Sequence, residues 1–168
     1  ERRAMNIHLV TGMVMALAAG AAAADVPRAE HPRPDMMRAQ WMTLNGEWEF
    51  AETDDDNAVF LEDAAYPDKI IVPFCRESKL SGLGRTGFVR NVWYRRAFEM
   101  PGGDWTGKRI RLHVGACDWR TKVWVNGTPA GSNTGGSAPF AFDITPLLRP
   151  GANTVIIHAF DDVRSGLQ

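Results

Sequence analysis

The chain has 168 residues, 45% of them hydrophobic, and a formal net charge of −1. Near-neutral charge leaves no electrostatic case for a nucleic-acid partner. Beyond Ala24 no apolar run approaches the ~20 residues that a spanning helix needs, so no membrane partner is expected either.

The N-terminal stretch reads as a secretory leader over residues 1–24. Arg2 and Arg3 are basic, no charged side chain follows from Ala4 to Ala24, and LVTGMVMALAAGAAAA ends in small residues. A basic start, an apolar centre and Ala-x-Ala before Asp25 predict removal near Ala24, hence a periplasmic or secreted protein, with a membrane anchor as the alternative reading of this short, Ala-rich window. Met5 would make a poor initiator, because it would leave both arginines out, so the natural start is expected upstream of Glu1. Residues 25–35, DVPRAEHPRP and the Asp that follows, are rich in Pro and charge and predict an extended linker. Residues 36–162 are long enough for one domain with its own core.

Within that domain, WMTLNGEWEF predicts a turn at Asn45-Gly46 and a strand with Trp48 and Phe50 on one face. The acidic AETDDDN that follows lacks the ligand spacing and the Gly of a calcium loop and reads as a solvated loop. Lys69 to Pro73, KIIVP, is a short buried strand. Arg76 to Arg90 is a long loop, RESKLSGLGRTGFVR, of the kind that carries function or mobility. Asn91 to Met100 is a strand with Val92, Tyr94, Phe98 and Met100 on one face. Arg96 falls on that face and needs a carboxylate or carbonyl partner, or a neighbouring domain.

The stretch from Arg109 to Asp143 is the most regular. Ile110, Leu112 and Val114 alternate with Arg109, Arg111 and His113, the period of a half-buried strand. Lys122-Val123-Trp124-Val125 then meets Asn126-Gly127, a strong signal for a type I′ hairpin. Trp124 lies on the face opposite Val123 and Val125 and is expected to pack against a neighbouring domain, with an exposed ring as the alternative. Gly131, Gly135 and Gly136 punctuate a loop before Phe140 to Asp143 resumes an extended pattern. Thr154 to Phe160 is the last strand, with Val155, Ile157 and Ala159 inward. Short strands, close turns and no helical period predict an all-β antiparallel sandwich or barrel.

Chemical motifs are sparse. His8, His31, His113 and His158 show no metal spacing, so no metal is expected. Cys75 and Cys117 are the only cysteines; they are read as buried and unpaired, with a bridge as the alternative. Most of the six tryptophans are expected in the core.

The motifs LNGEWEF, IIVPFCRESKLSGLG, NVWYRRAF, GACDW, VWVNG, GG-x-x-PFAFDIT and LLRPGANTVIIHAFD, in that order, resemble the N-terminal domain of glycoside hydrolase family 2. This is the family of β-galactosidases, β-glucuronidases and β-mannosidases. The resemblance implies a jelly-roll sandwich of the galactose-binding-domain type. It also implies a retaining mechanism with two glutamates on a barrel C-terminal to the sandwich, the acid/base Glu following an Asn. No Asn-Glu dipeptide occurs in this chain and no catalytic residue or cofactor is assigned. Residues 163–168 are then the start of a linker toward a missing domain. The implied partners are the C-terminal domains of the same chain, a carbohydrate substrate and, in the full-length protein, a second copy.

By resemblance the Arg76–Arg90 loop faces the active-site mouth. Arg85 and Asn91 are the substrate-proximal candidates, Arg85 for a carboxylate and Asn91 for sugar hydroxyls. Ser137 stands where relatives place a Tyr, and TGFVR replaces the Asn-Pro of the β-galactosidase branch, so galactoside specificity does not carry over. Two other roles stay open: a free-standing carbohydrate-binding module, and a structural domain that holds a quaternary interface.

Overall fold

The computed structural model describes residues 26–162. The expected leader, Asp25 of the linker and residues 163–168 lie outside them. Eight strands follow one another: β1 Gly46–Thr53, β2 Asp68–Val72, β3 Asn91–Glu99, β4 Arg111–Val114, β5 Arg120–Val125, β6 Thr128–Thr134, β7 Phe140–Asp143 and β8 Ala152–Phe160. One sheet has the order β2-β1-β3-β8-β5-β6, and β4 pairs with β7 in a second. Every pairing is antiparallel. The described residues contain short 3-10 turns and no α-helix.

The core forms where period-two alternation turns apolar side chains to the inside. Trp48, Phe50, Ile70, Val123, Val125 and Val155 project from the six-stranded sheet and meet Ile110, Leu112, Phe142 and Ile144 of the second layer. Each fully buried side chain of this size contributes about 1.5–3 kcal/mol. The inward face of β3 supplies Val92, Tyr94 and Phe98, as its alternation predicts. Arg96 shares that face and donates to the carbonyls of Asn45 and Glu47.

The long loop after β2 has a topological cause. β2 and β3 flank β1 and are both antiparallel to it. They are therefore parallel to each other, and the chain must cross from one end of the sheet to the other. On the way it supplies cover that the two short strands of the second layer do not. Leu83 packs on the core and Ser81 is fully buried. The Ser81 hydroxyl donates to Ser78 O and accepts from Leu83 N.

The other face of the large sheet is also covered. Ala51, Trp93 and Ile156 are buried there beneath Phe60, Leu61 and Tyr66, which lie on the connection between β1 and β2. Arg95 fastens that connection. It donates to both oxygens of Glu49 and to the carbonyls of Glu62 and Ala64, and its guanidinium lies 4.2 Å from the Tyr66 ring centre. Trp124 stacks on Trp93 at 5.7 Å within this layer. Its outward side thus rests partly on Trp93 of the same sheet and is half-buried. The sequence showed its face correctly but could not show the strap.

Asn126 and Gly127 have φ of 50° and 76°, the left-handed pair that a type I′ turn requires. Asn126 also donates to Leu147 O and Asn153 Oδ1 and accepts from Thr154 N, so the turn is tied to β8. Cys75 and Cys117 are free thiols, but Cys75 is exposed and Cys117 only half-buried, where burial was expected.

Candidate functional site

Four strands converge at one end of the large sheet. In register, Thr53 of β1 lies beside Asn91 of β3, Asn91 beside Phe160 of β8, and Phe160 beside Arg120 of β5. Backbone pairing continues past the strands: Asp161 N donates to Arg90 O, Trp119 N to Phe160 O, and Gly135 N to Trp119 O. The loops at 54–57, 85–90, 117–119 and 135–136 are thereby held side by side. Gly136 packs so close to Asp118 that a Cβ there would collide with the carboxylate.

Arg85 enters this end from the crossing loop. Its two terminal nitrogens each donate 2.8 Å to Asp68, and one also reaches Glu52 at 3.0 Å. Glu52 takes a second guanidinium from the other side, Arg76 Nε at 2.8 Å. Arg76 is 9% exposed and also donates to Gly87 O. Two loop arginines therefore clamp one strand carboxylate. A bidentate fork holds its partner in one geometry, which a lysine would not. The hydrogen bonds from Arg85 hold the Asp68 carboxyl below its ordinary range, and the same bonds push the Arg85 guanidinium further up.

Asn91 lies on the opposite face, beside the acidic loop. It is 4% exposed, donates to Asp56 Oδ1 at 2.9 Å and meets His158 Nε2 at 2.9 Å through its Oδ1. Since the Asn91 oxygen can only accept, His158 carries its proton on Nε2. Arg90 completes the corner: its backbone N–H donates to Asp54 Oδ1, and its side chain to Asp56 Oδ2 and Asp54 O. The acidic run expected as a solvated loop is thus the acceptor for two polar residues at the start of β3. Burial, with Lys122 and Arg120 near by, pushes the His158 pKa down to about 4.

The two candidates from the sequence sit at the same end of β1 but do not share a face. Arg85 reaches Glu52 on the inner face, whereas Asn91 points outward with Trp93. Their partners Glu52, Asp68, Asp56 and His158 carried no signal in the sequence. They lie 17 to 67 positions away along the chain. An open hollow of about 330 Å³ adjoins this corner, lined by Asp54, Phe88, Arg90 and Asp162. An aromatic ring beside guanidinium and carboxylate groups can stack on and hydrogen-bond a polyol. Among the described residues no three His, Cys, Asp or Glu side chains come together as a metal site.

Residues 83–165 match the family model described as glycosyl hydrolases family 2, sugar binding domain. A β-glucuronidase of Paenibacillus borealis is 28% identical over 121 residues, which cover 70% of this chain and 20% of the relative. A β-galactosidase of Arthrobacter sp. is 29% identical over 124 residues, or 71% of this chain and 11% of the relative. The solved β-glucuronidase of Bifidobacterium dentium, in complex with coumarin-3-O-glucuronide, superposes with a TM-score of 0.61 at 27% identity, over 70% of this chain and 19% of that one. The chain spans a fifth or less of the length of these relatives.

Proposed function

Since the sandwich belongs to the sugar binding domain family of glycosyl hydrolase family 2, we propose that it is the non-catalytic N-terminal domain of an exported retaining glycosidase. In this reading, residues 1–24 direct export, 25–35 link, and 163–168 lead on toward a catalytic barrel that carries the two glutamates. The sandwich takes the jelly-roll form and braces that barrel, as one subunit of a homo-oligomer. The whole protein cleaves O-glycosidic bonds, with β-glucuronides the substrate class favoured by the relatives.

One observation carries the reading. The likeness to glucuronidase structures covers most of this chain and about a fifth of theirs, which is the relation of one domain to a multidomain enzyme. In that setting Arg85 and Asn91 are positioning residues. Their polar atoms are engaged by Glu52, Asp68, Asp56 and His158, so they fix the shape of the corner that the barrel would meet.

The test is the stereochemistry of the full-length enzyme on an aryl β-glucuronide, followed by proton NMR. A double displacement yields the β-anomer of the free sugar first, with the α-anomer appearing only by mutarotation. First release of the α-anomer, or no hydrolysis of any aryl glycoside, would overturn the proposal.

A further inference from the structure

Strand β8 ends between two neighbours. Beyond Phe160 the chain is flanked on one side by Arg90, whose carbonyl accepts from Asp161 N at 2.9 Å. On the other side stands Trp119, whose backbone N–H donates to Phe160 O at 3.2 Å. Asp162, the last described residue, lines the open hollow with Asp54, Phe88 and Arg90. Any polypeptide that follows therefore starts from this end of the large sheet. Trp119 is 37% exposed there, although it is a large aromatic. Among the described residues no ring stacks on it and no hydrogen bond engages its indole nitrogen.

The backbone that carries this ring is held on both sides. The Trp119 carbonyl accepts from Gly135 N at 2.8 Å, opposite the bond to Phe160. Two residues earlier, Cys117 O accepts from Thr121 Oγ1 at 3.2 Å, and Gly136 packs against the Asp118 carboxylate. An aromatic side chain on a fixed backbone loses little conformational freedom when it is covered. Rigid aromatics for that reason dominate the anchors of protein interfaces. Met37 and Leu80 are more exposed still, but neither has its backbone paired with β8.

We propose that Trp119 is the anchor on which the domain following Asp162 in the same polypeptide docks, with apolar side chains of that domain covering the indole face. The inference rests on the reading that more chain follows the sandwich. The relatives support that reading, since the match covers 19% of the solved Bifidobacterium dentium β-glucuronidase. It does not require the following domain to be catalytic. Covalent continuity selects the occupant. A domain joined close to Phe160 is present at Trp119 at an effective concentration on the order of millimolar, which a separate partner would have to exceed.

The test uses the full-length protein. Hydroxyl-radical labelling read by mass spectrometry compares Trp119 with Trp41, which has the same side chain and the same 37% exposure in the sandwich. Trp119 should be labelled about fivefold more slowly, as an anchor desolvated by its partner. Trypsin then probes the join, since Arg164 lies just beyond Asp162. Trp119→Ala should raise cleavage after Arg164 about tenfold, because proteolysis follows the population of the open form. Trp119→Phe keeps an aromatic face and should stay within about twofold of the parent. Met37→Ala, at another exposed apolar position, should match the parent. Labelling of Trp119 at or above the rate of Trp41, equal cleavage of Trp119→Ala and the parent, or an equal rise in Met37→Ala would each overturn the proposal. Hydrolysis of aryl glycosides reads the catalytic proposal separately. An active enzyme with an accessible Trp119 would remove the docking surface alone, and an inactive protein with a protected Trp119 would remove the catalytic reading alone.

Discussion

His158 lies 4.1 Å from the Trp93 ring and donates to the Asn91 amide, with Lys122 and Arg120 near by. Burial and those two cations keep it neutral to a pKa of about 4, whereas an unfolded chain protonates histidine near pH 6.5. Between those values the unfolded state binds more protons. The stabilisation is complete above about pH 6.5 and is lost as the pH falls toward the folded value. Partial exposure screens the effect, so its size is on the order of 1–2 kcal/mol. His158→Gln keeps a donor for Asn91 and removes the titration. Urea unfolding at several pH values should show a smaller loss for this variant between pH 6.5 and 4 than for the parent. Parallel curves would remove His158 from the account. Arg85 makes a second case. Arg85→Ala leaves Asp68 without its fork and Glu52 with Arg76 alone. In the full-length enzyme the loop should loosen and KM rise by about 3–10-fold with kcat nearly unchanged, the pattern of lost uniform binding. Unchanged KM would make the clamp a matter of stability only.

Among the elements, β6 is the one that local chemistry hides. Its sequence TPAGSNT contains a Pro and a Gly that weaken any strand pattern. The preceding Asn126-Gly127 announces a hairpin, and a hairpin needs a returning arm. β6 is that arm, with an irregular register between Val123 and Trp124. Gly131 is required there for a tertiary reason. A Cβ at this position would run into the Phe142 ring of the second layer. Gly131→Ala should therefore destabilise the domain by about 1–3 kcal/mol through overpacking. A denaturation midpoint equal to the parent's would show that Phe142 can step aside. The alternating strands β1, β3, β5 and β8 were legible because each shows period two over a buried face. The strap from Asn57 to Tyr66 was not. It has no period of its own, and its place depends on Arg95 gripping its carbonyls from another strand. For the same reason Trp124 could be assigned a face but not a neighbour.

At the scale of the molecule, motif order identified the sandwich, and the family match agrees with it over residues 83–165. The site was legible only in part. Arg85 and Asn91 stood out as polar residues in and after a long loop. Their separation onto two faces follows from the crossing of β2 to β3, a property of topology that no single stretch encodes. What the fold does with them depends on whether this domain serves a catalytic barrel. The most direct measurement compares two proteins on one panel of aryl β-glucuronides, galactosides and mannosides. The 168-residue chain should release no aglycone above a buffer blank, because the proposed reading puts the paired carboxylates on a barrel, while the full-length protein should turn over at least one substrate. Turnover by the chain alone, or none by the full-length protein, would contradict the account.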